Sequence, residues 1–315
     1  YSQGRFHAAL VDPADARKAI DFYDQAIALD PRYARAYASL ANTWARLGAT
    51  FLSGEDQRQA YAKARAAVDQ ASQLDPDLAT AHFSRGLLLQ WTDFDWTGAE
   101  AEYRRALQLA PNDATAQFGL GHILAVLGQN RRAAELVRQA LDSDPRHTNW
   151  YYWLGSYRAA LGDLDAARKA QSTAIAMHPD AASFHEALAV VEILRGDARA
   201  ALAAAQQETD SSWREIALAL ALQVGSDRAA ADAALQKLIK NQASVAAYQI
   251  AQIYALRRDP DDTFKWLDRA WTNRDSGISN LLSDPFILRY RNAPRFAAFC
   301  KKVGLPTTTD AVAMK

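Results

Sequence analysis

Six histidines, one cysteine and a few short acidic or glycine-bearing motifs are the places where this chain could carry chemistry. His7, His82, His122, His147, His178 and His185 form neither a His-x-x-x-His pair nor a His-Glu-x-x-His motif, so no metal-ligating spacing is present. His82 and His185 are expected to be core histidines. Asp93 and Asp95 begin like a calcium loop, but Arg104 stands where the bidentate glutamate belongs. Gly119-Leu120-Gly121 lacks the third glycine of a dinucleotide fingerprint, and no strand precedes it. Arg195-Gly196-Asp197 matches an adhesion triplet by letters alone and reads as a turn between helices. Cys300, beside Phe299, is expected to be buried and inert. No Gly-x-Ser-x-Gly elbow or P-loop occurs. The expectation is a chain with no catalytic residue, no cofactor and no metal, hence not an enzyme. The competing reading is a small-ligand sensor in which His122, His185 and Glu186 converge.

Composition narrows the class further. The 315 residues carry 36 Lys+Arg against 36 Asp+Glu, a formal net charge of zero. A nucleic-acid or anionic-membrane binder needs a basic excess, so neither is expected of this segment. Half of the residues are apolar, which excludes wholesale disorder. No run approaches the 18 apolar residues of a membrane span. The chain starts at Tyr1 without a signal-peptide pattern, and a fragment of a longer protein is expected.

The elements that hold these residues announce themselves as a repeat. Ala19, Tyr23, Ala26 and Asp30-Pro31 recur in order as Ala64, Val68, Ala71 and Asp75-Pro76. They recur again as Ala99, Tyr103, Ala106 and Pro111, then as Ala133, Val137, Ala140 and Asp144-Pro145. Pro76, Pro111, Pro145 and Pro179 are spaced by 35, 34 and 34 residues. The step from Pro31 to Pro76 is 45, which places an insertion of about 11 residues near 50–59. Small residues in phase let paired helices cross closely, where larger ones would overpack. Gly48, Gly128, Gly162 and Gly196 are expected to stop the first helix of each pair, because glycine reaches the left-handed cap conformation without strain. Asp-Pro ends the second, since the residue before proline is pushed out of the helical region.

This pattern resembles the tetratricopeptide repeat, a 34-residue helix-turn-helix unit. The resemblance implies an all-α fold: a right-handed α-solenoid of about eight hairpins, the first incomplete, with a C-terminal capping segment. The expected organisation is a regular array over 1–210, divergent hairpins of the same solenoid over 211–275, and capping helices and tail over 276–315. Ser283-Asp284-Pro285-Phe286, Pro294-Arg295-Phe296 and Val303-Gly304-Leu305-Pro306 resemble the C-terminal signature of bacterial signalling proteins. In these a tetratricopeptide array follows an adenylate cyclase or winged-helix DNA-binding domain, often with a TolB-like domain between. Arg257-Arg258 departs from that pattern, where Leu-Gly is usual. The resemblance implies a regulatory module, cytoplasmic behind a cyclase-type domain, or periplasmic if the parent protein spans a membrane.

In the tetratricopeptide family one stripe of each first helix lines a concave groove. Here that stripe carries Arg35, Asn42, Phe83, Leu87, Trp91, Phe118, His122, Asn149, Tyr152, Ser156 and Glu186. Rings supply apolar area and polar tips pair with a peptide backbone, so a protein or peptide partner is expected there. The rings' other reading is packing against a neighbouring helix. Of the family's two-carboxylate clamp only Asn42 matches, so a free acidic C-terminus is not the expected ligand. A homodimer is the alternative partner.

Overall fold

The computed structural model describes residues 1–8, 13–52 and 54–314. Among them lie seventeen α-helices and no strand. The helices pair as α1 (Ser2–Ala8) with α2 (Pro13–Leu29), α3 (Ala34–Phe51) with α4 (Gly54–Leu74), and α5 (Ala79–Leu88) with α6 (Trp96–Leu109). Next come α7 (Ala114–Val126) and α8 (Asn130–Ser143) in succession, then the pairs α9 (Thr148–Ala160) with α10 (Leu164–Met177), and α11 (Phe184–Arg195) with α12 (Ala198–Gln207). The last pairs are α13 (Ser211–Ala221) with α14 (Arg228–Gln242), and α15 (Ala247–Leu256) with α16 (Pro260–Thr272). The succession of helices is that expected of an all-α solenoid. Short 3-10 turns at Ser276–Asn280 and Ile287–Tyr290 then lead to α17 (Pro294–Lys302). The chain forms two compact units, 1–123 and 124–315, and the boundary falls inside α7.

The recurring alanines do what their size allows. Ala19, Ala64 and Ala99 in the first unit, and Ala133, Ala167 and Ala201 in the second, are fully buried at helix crossings. In the first unit the Tyr103 ring is 1% exposed and lies across two glycines. A methyl group on Gly86 or Gly119 would sit 2.8 or 2.9 Å from its carbons, with Phe83 equally close to Gly119. Gly119→Leu is expected to overpack this crossing at a cost on the order of 1–2 kcal/mol, read as a lowered urea midpoint. A midpoint equal to wild type would contradict the assignment of Gly119 to a crossing.

Gly128, Gly162 and Gly196 take φ values of +79°, +78° and +79° and end their helices as expected. Gly48 does not. Helix α3 runs through it to Phe51, and α4 starts at Gly54, so the insertion lengthens both helices of the second hairpin instead of making a loop. Ala49 offers no capping side chain, and Gly48 serves packing: a Cβ there would lie 3.1 Å from the Tyr61 ring. The 35-residue step has its own cause. A π-helical turn at Leu89–Asp93 absorbs one extra residue, and Phe94 (φ 55°) fills the left-handed place held elsewhere by glycine. Arg258 (φ 60°) fills the same place in the last hairpin, so the turn survives without its glycine.

Candidate functional site

In the first unit the stripe is uneven. Arg35 is exposed, and Asn42, Trp91, Phe118 and His122 are half-buried. Phe118 and His122 stack with centroids 5.8 Å apart. Burial lowers the His122 imidazole to about 4, so it is neutral at physiological pH. Phe83 and Leu87 are each only 7% exposed, and Phe83 packs on Tyr103 at 5.5 Å. Phe83 therefore follows the packing alternative, because its ring closes over the small crossing at Gly119. His82 is held by Glu102 (2.6 Å) and the Pro76 carbonyl (2.9 Å), a satisfied structural histidine.

In the second unit Asn149 is exposed, while Tyr152 and Ser156 are half-buried. Tyr152 stacks on Phe184 at 5.4 Å, and its carbonyl accepts from the Ser156 hydroxyl and from Gln171. Ser156 thus spends its hydroxyl on its own helix. Glu186 is buried. Its backbone N–H donates to the fully buried Glu208 carboxylate (3.2 Å), and burial, with Glu208 and Asp284 nearby, pushes the Glu186 carboxyl up to about 8. His122 falls in the first unit, His185 and Glu186 in the second. Among the described residues no three His, Cys, Asp or Glu side chains are arranged to hold a metal ion. Cys300 is fully buried, and burial raises its thiol to about 11, so it is not a nucleophile.

The structure adds an occupant to the second unit that pattern reading did not place: the chain's own C-terminal segment. The Ser283 hydroxyl donates to Asn130 Oδ1 (2.7 Å) with the Ala125 carbonyl also within reach (3.2 Å), and Asn130 Nδ2 donates to the Leu282 carbonyl (3.1 Å). Asp284, 4% exposed, accepts from the Tyr248 hydroxyl (2.9 Å), Gln252 (2.8 Å) and the Phe286 amide (2.8 Å). Arg289 donates to the Ala255 carbonyl. The segment therefore touches first helices α7 and α15, and lies near enough to α11 to raise the charge cost of Glu186. Leu281, Leu282, Phe286, Ile287 and Leu288 are fully buried. The segment is thus part of the core of the second unit. One signal pointed here: Ser283-Asp284-Pro285-Phe286 stood out as a non-repeat motif.

The Tetratricopeptide repeat profile matches residues 88–129, 118–176 and 155–214. Residues 88–214 thus resemble a tetratricopeptide repeat array. The TPR repeat-containing protein PA0015 of Pseudomonas aeruginosa is 35% identical over 65 residues, 21% of this chain. The match spans 62% of that relative's length. Among solved structures, the APC/C hetero-tetramer Cut9-Hcn1 aligns with a TM-score of 0.58 at 15% identity, over 87% of this chain and 52% of that one. PilF of Pseudomonas aeruginosa aligns with a TM-score of 0.50 at 18% identity, over 68% and 96%. At these identities the likeness is one of fold, the α-solenoid that the tetratricopeptide pattern implies. A repeat array of this kind is consistent with a protein-interaction scaffold. No helix among the described residues is long and apolar enough to cross a membrane.

Proposed function

We propose that the tetratricopeptide array binds a protein or peptide partner along the first-helix stripe of its first unit and thereby regulates an attached bacterial signalling or transcription domain in the cytoplasm. The observation that carries the reading is the contrast between the stripes. In the second unit Glu186 is buried with Asp284 of the chain's own segment near by, and that segment contacts α7 and α15. In the first unit Arg35 is exposed, and Asn42, Trp91 and the Phe118–His122 stack remain partly accessible. A half-exposed ring pair, an amide and a guanidinium distributed along the stripe suit an extended segment, the rings supplying apolar area and the polar groups pairing with its backbone.

The test is capture of partners by wild type and by Phe118→Ala/Arg35→Glu, checked for equal helicity. The double variant is expected to lose a partner that wild type retains. Unchanged capture would remove the stripe from the proposal.

A further inference from the structure

The second helices of the hairpins share a capping device, and one of them lacks its own part. Asp95, Asp163, Asp197, Asp227 and Asp259 each follow the inter-helix turn and accept from the amide three residues on, at the start of α6, α10, α12, α14 and α16. At α8 the equivalent residue is Gln129, whose side chain makes no cap. The α8 amides are taken instead by Asp310, 180 residues away: Asn130 N donates to Oδ1 at 2.7 Å and Arg131 N to Oδ2 at 2.9 Å.

The tail that delivers Asp310 is bound as a peptide would be. The Asp310 amide donates to the Gly128 carbonyl (3.0 Å), and the Val312 amide to the Ala160 carbonyl (2.7 Å), so two successive hairpin ends read alternate residues of one extended strand of chain. The single Thr309 hydroxyl proton lies within reach of the Leu282 carbonyl (2.7 Å) and the Gly128 carbonyl (3.1 Å). The glycines make room. A Cβ on Gly128 would meet the Thr308 carbonyl at 2.6 Å, and one on Gly162 the Val312 side chain at 3.2 Å.

Three physical points distinguish this from simple closure of the fold. Of residues 306–314 only Ala311 is buried; Asp310 is exposed and Val312 is 44% exposed, so little apolar area holds the tail down. A cap brought from the far end costs the ordering of the tail, whereas aspartate at 129 would cap at no such cost. The receiving end is also electrostatically matched to a carboxylate: helix N-terminal amides that Gln129 does not cap, with Arg131 and Arg132 in the first turn.

We propose that the edge formed by Gly128, Asn130, Arg131, Ala160 and Gly162 is a second binding site, for an extended partner segment carrying hydroxyl, aspartate, small and aliphatic residues in that order, and that Thr309–Val312 occupies it as an internal competitor. It is separate from the first-helix stripe of the first unit. The full chain is tested with a labelled peptide of the sequence 306–314, followed by fluorescence anisotropy. Wild type is expected to bind it weakly, because the tethered tail competes at high effective concentration. Asp310→Ala should bind at least ten times more tightly. Alanine at the aspartate of the peptide should cost tenfold or more, as should adding Gln129→Asp to the chain, which fills the amides in place. Phe118→Ala/Arg35→Glu should leave this binding unchanged, so failure here and failure of the stripe are separable. An Asp310→Ala chain with wild-type helicity that shows no saturable binding, or that binds aspartate and alanine peptides alike, overturns the proposal. So does a wild-type dimer that becomes monomeric on Asp310→Ala, which would assign the edge to a second copy of the chain.

Discussion

Asp284→Ala is expected to lower the unfolding free energy by about 3 kcal/mol, more than any other single carboxylate removal in the chain. The Asp284 carboxylate gathers donors from separate parts of the second unit: the Tyr248 hydroxyl, the Gln252 amide and the backbone N–H groups of Phe286 and Ile287. Tyr248 is 1% exposed, so its hydroxyl has no water to fall back on. Each buried donor left without an acceptor costs about 1–3 kcal/mol. The charge itself is held at a cost, since burial raises the Asp284 carboxyl above the usual range, and losing it returns part of that cost. The net therefore falls well below the sum over four donors. Tyr248→Phe removes one bond and one donor together and should cost only about 1 kcal/mol. Chemical denaturation of the three proteins checks the order. Asp284→Ala within 0.5 kcal/mol of wild type would mean that the segment 281–290 is not latched where the geometry puts it. Faster amide exchange over 281–314 in the same variant would locate the loss.

The parts of this fold that could be read from residue types are those in which packing leaves little choice. Ala64, Ala99 and Ala133 recur because the crossing admits no larger side chain. Gly128, Gly162 and Gly196 recur because the turn needs a left-handed residue. Where a second solution exists, the pattern misleads: Gly48 has the right place but lies inside a helix, and Phe94 and Arg258 turn the chain without glycine. The extra residue behind the π-helical turn was countable in the 35-residue step, but its form was not. The stripe is harder for a physical reason. A ring at the right helical place tells which face it is on, not what lies over that face. Phe83 is claimed by Tyr103 within its own unit, and buried Glu186 feels Glu208 and the Asp284 charge of a segment almost a hundred residues downstream. Contacts such as Asp310 to Asn130, 180 residues apart, leave no local trace except on the receiving side. Gln129 interrupting a series of aspartates is such a trace.

Glu186 should give the second unit an inverted pH response. In the unfolded chain a glutamate titrates near its ordinary value, about 4.3–4.5, whereas in the fold the Glu186 carboxyl is pushed up to about 8. Between those values the folded state holds a proton that the unfolded state releases, so stability falls as pH rises through the window and levels off above the folded value. Glu186 alone spans ~5 kcal/mol by this reckoning, an upper bound because Glu208 and Asp284 share the field. Half-buried His122 acts in the opposite sense. Its imidazole is lowered to about 4, so the unfolded state binds the proton first, and stability rises with pH up to the ordinary histidine value near 6.5. The two slopes oppose each other from about 4.5 to 6.5, and only the glutamate acts above that. Wild type should hold a near-constant denaturation midpoint across the lower range, then lose about 2 kcal/mol between pH 6.5 and 8. Glu186→Gln should abolish that loss and uncover the rise due to His122 at lower pH. A Glu186→Gln curve parallel to wild type above pH 6.5 would show that this carboxyl ionises normally and is not buried beside Glu208 and Asp284.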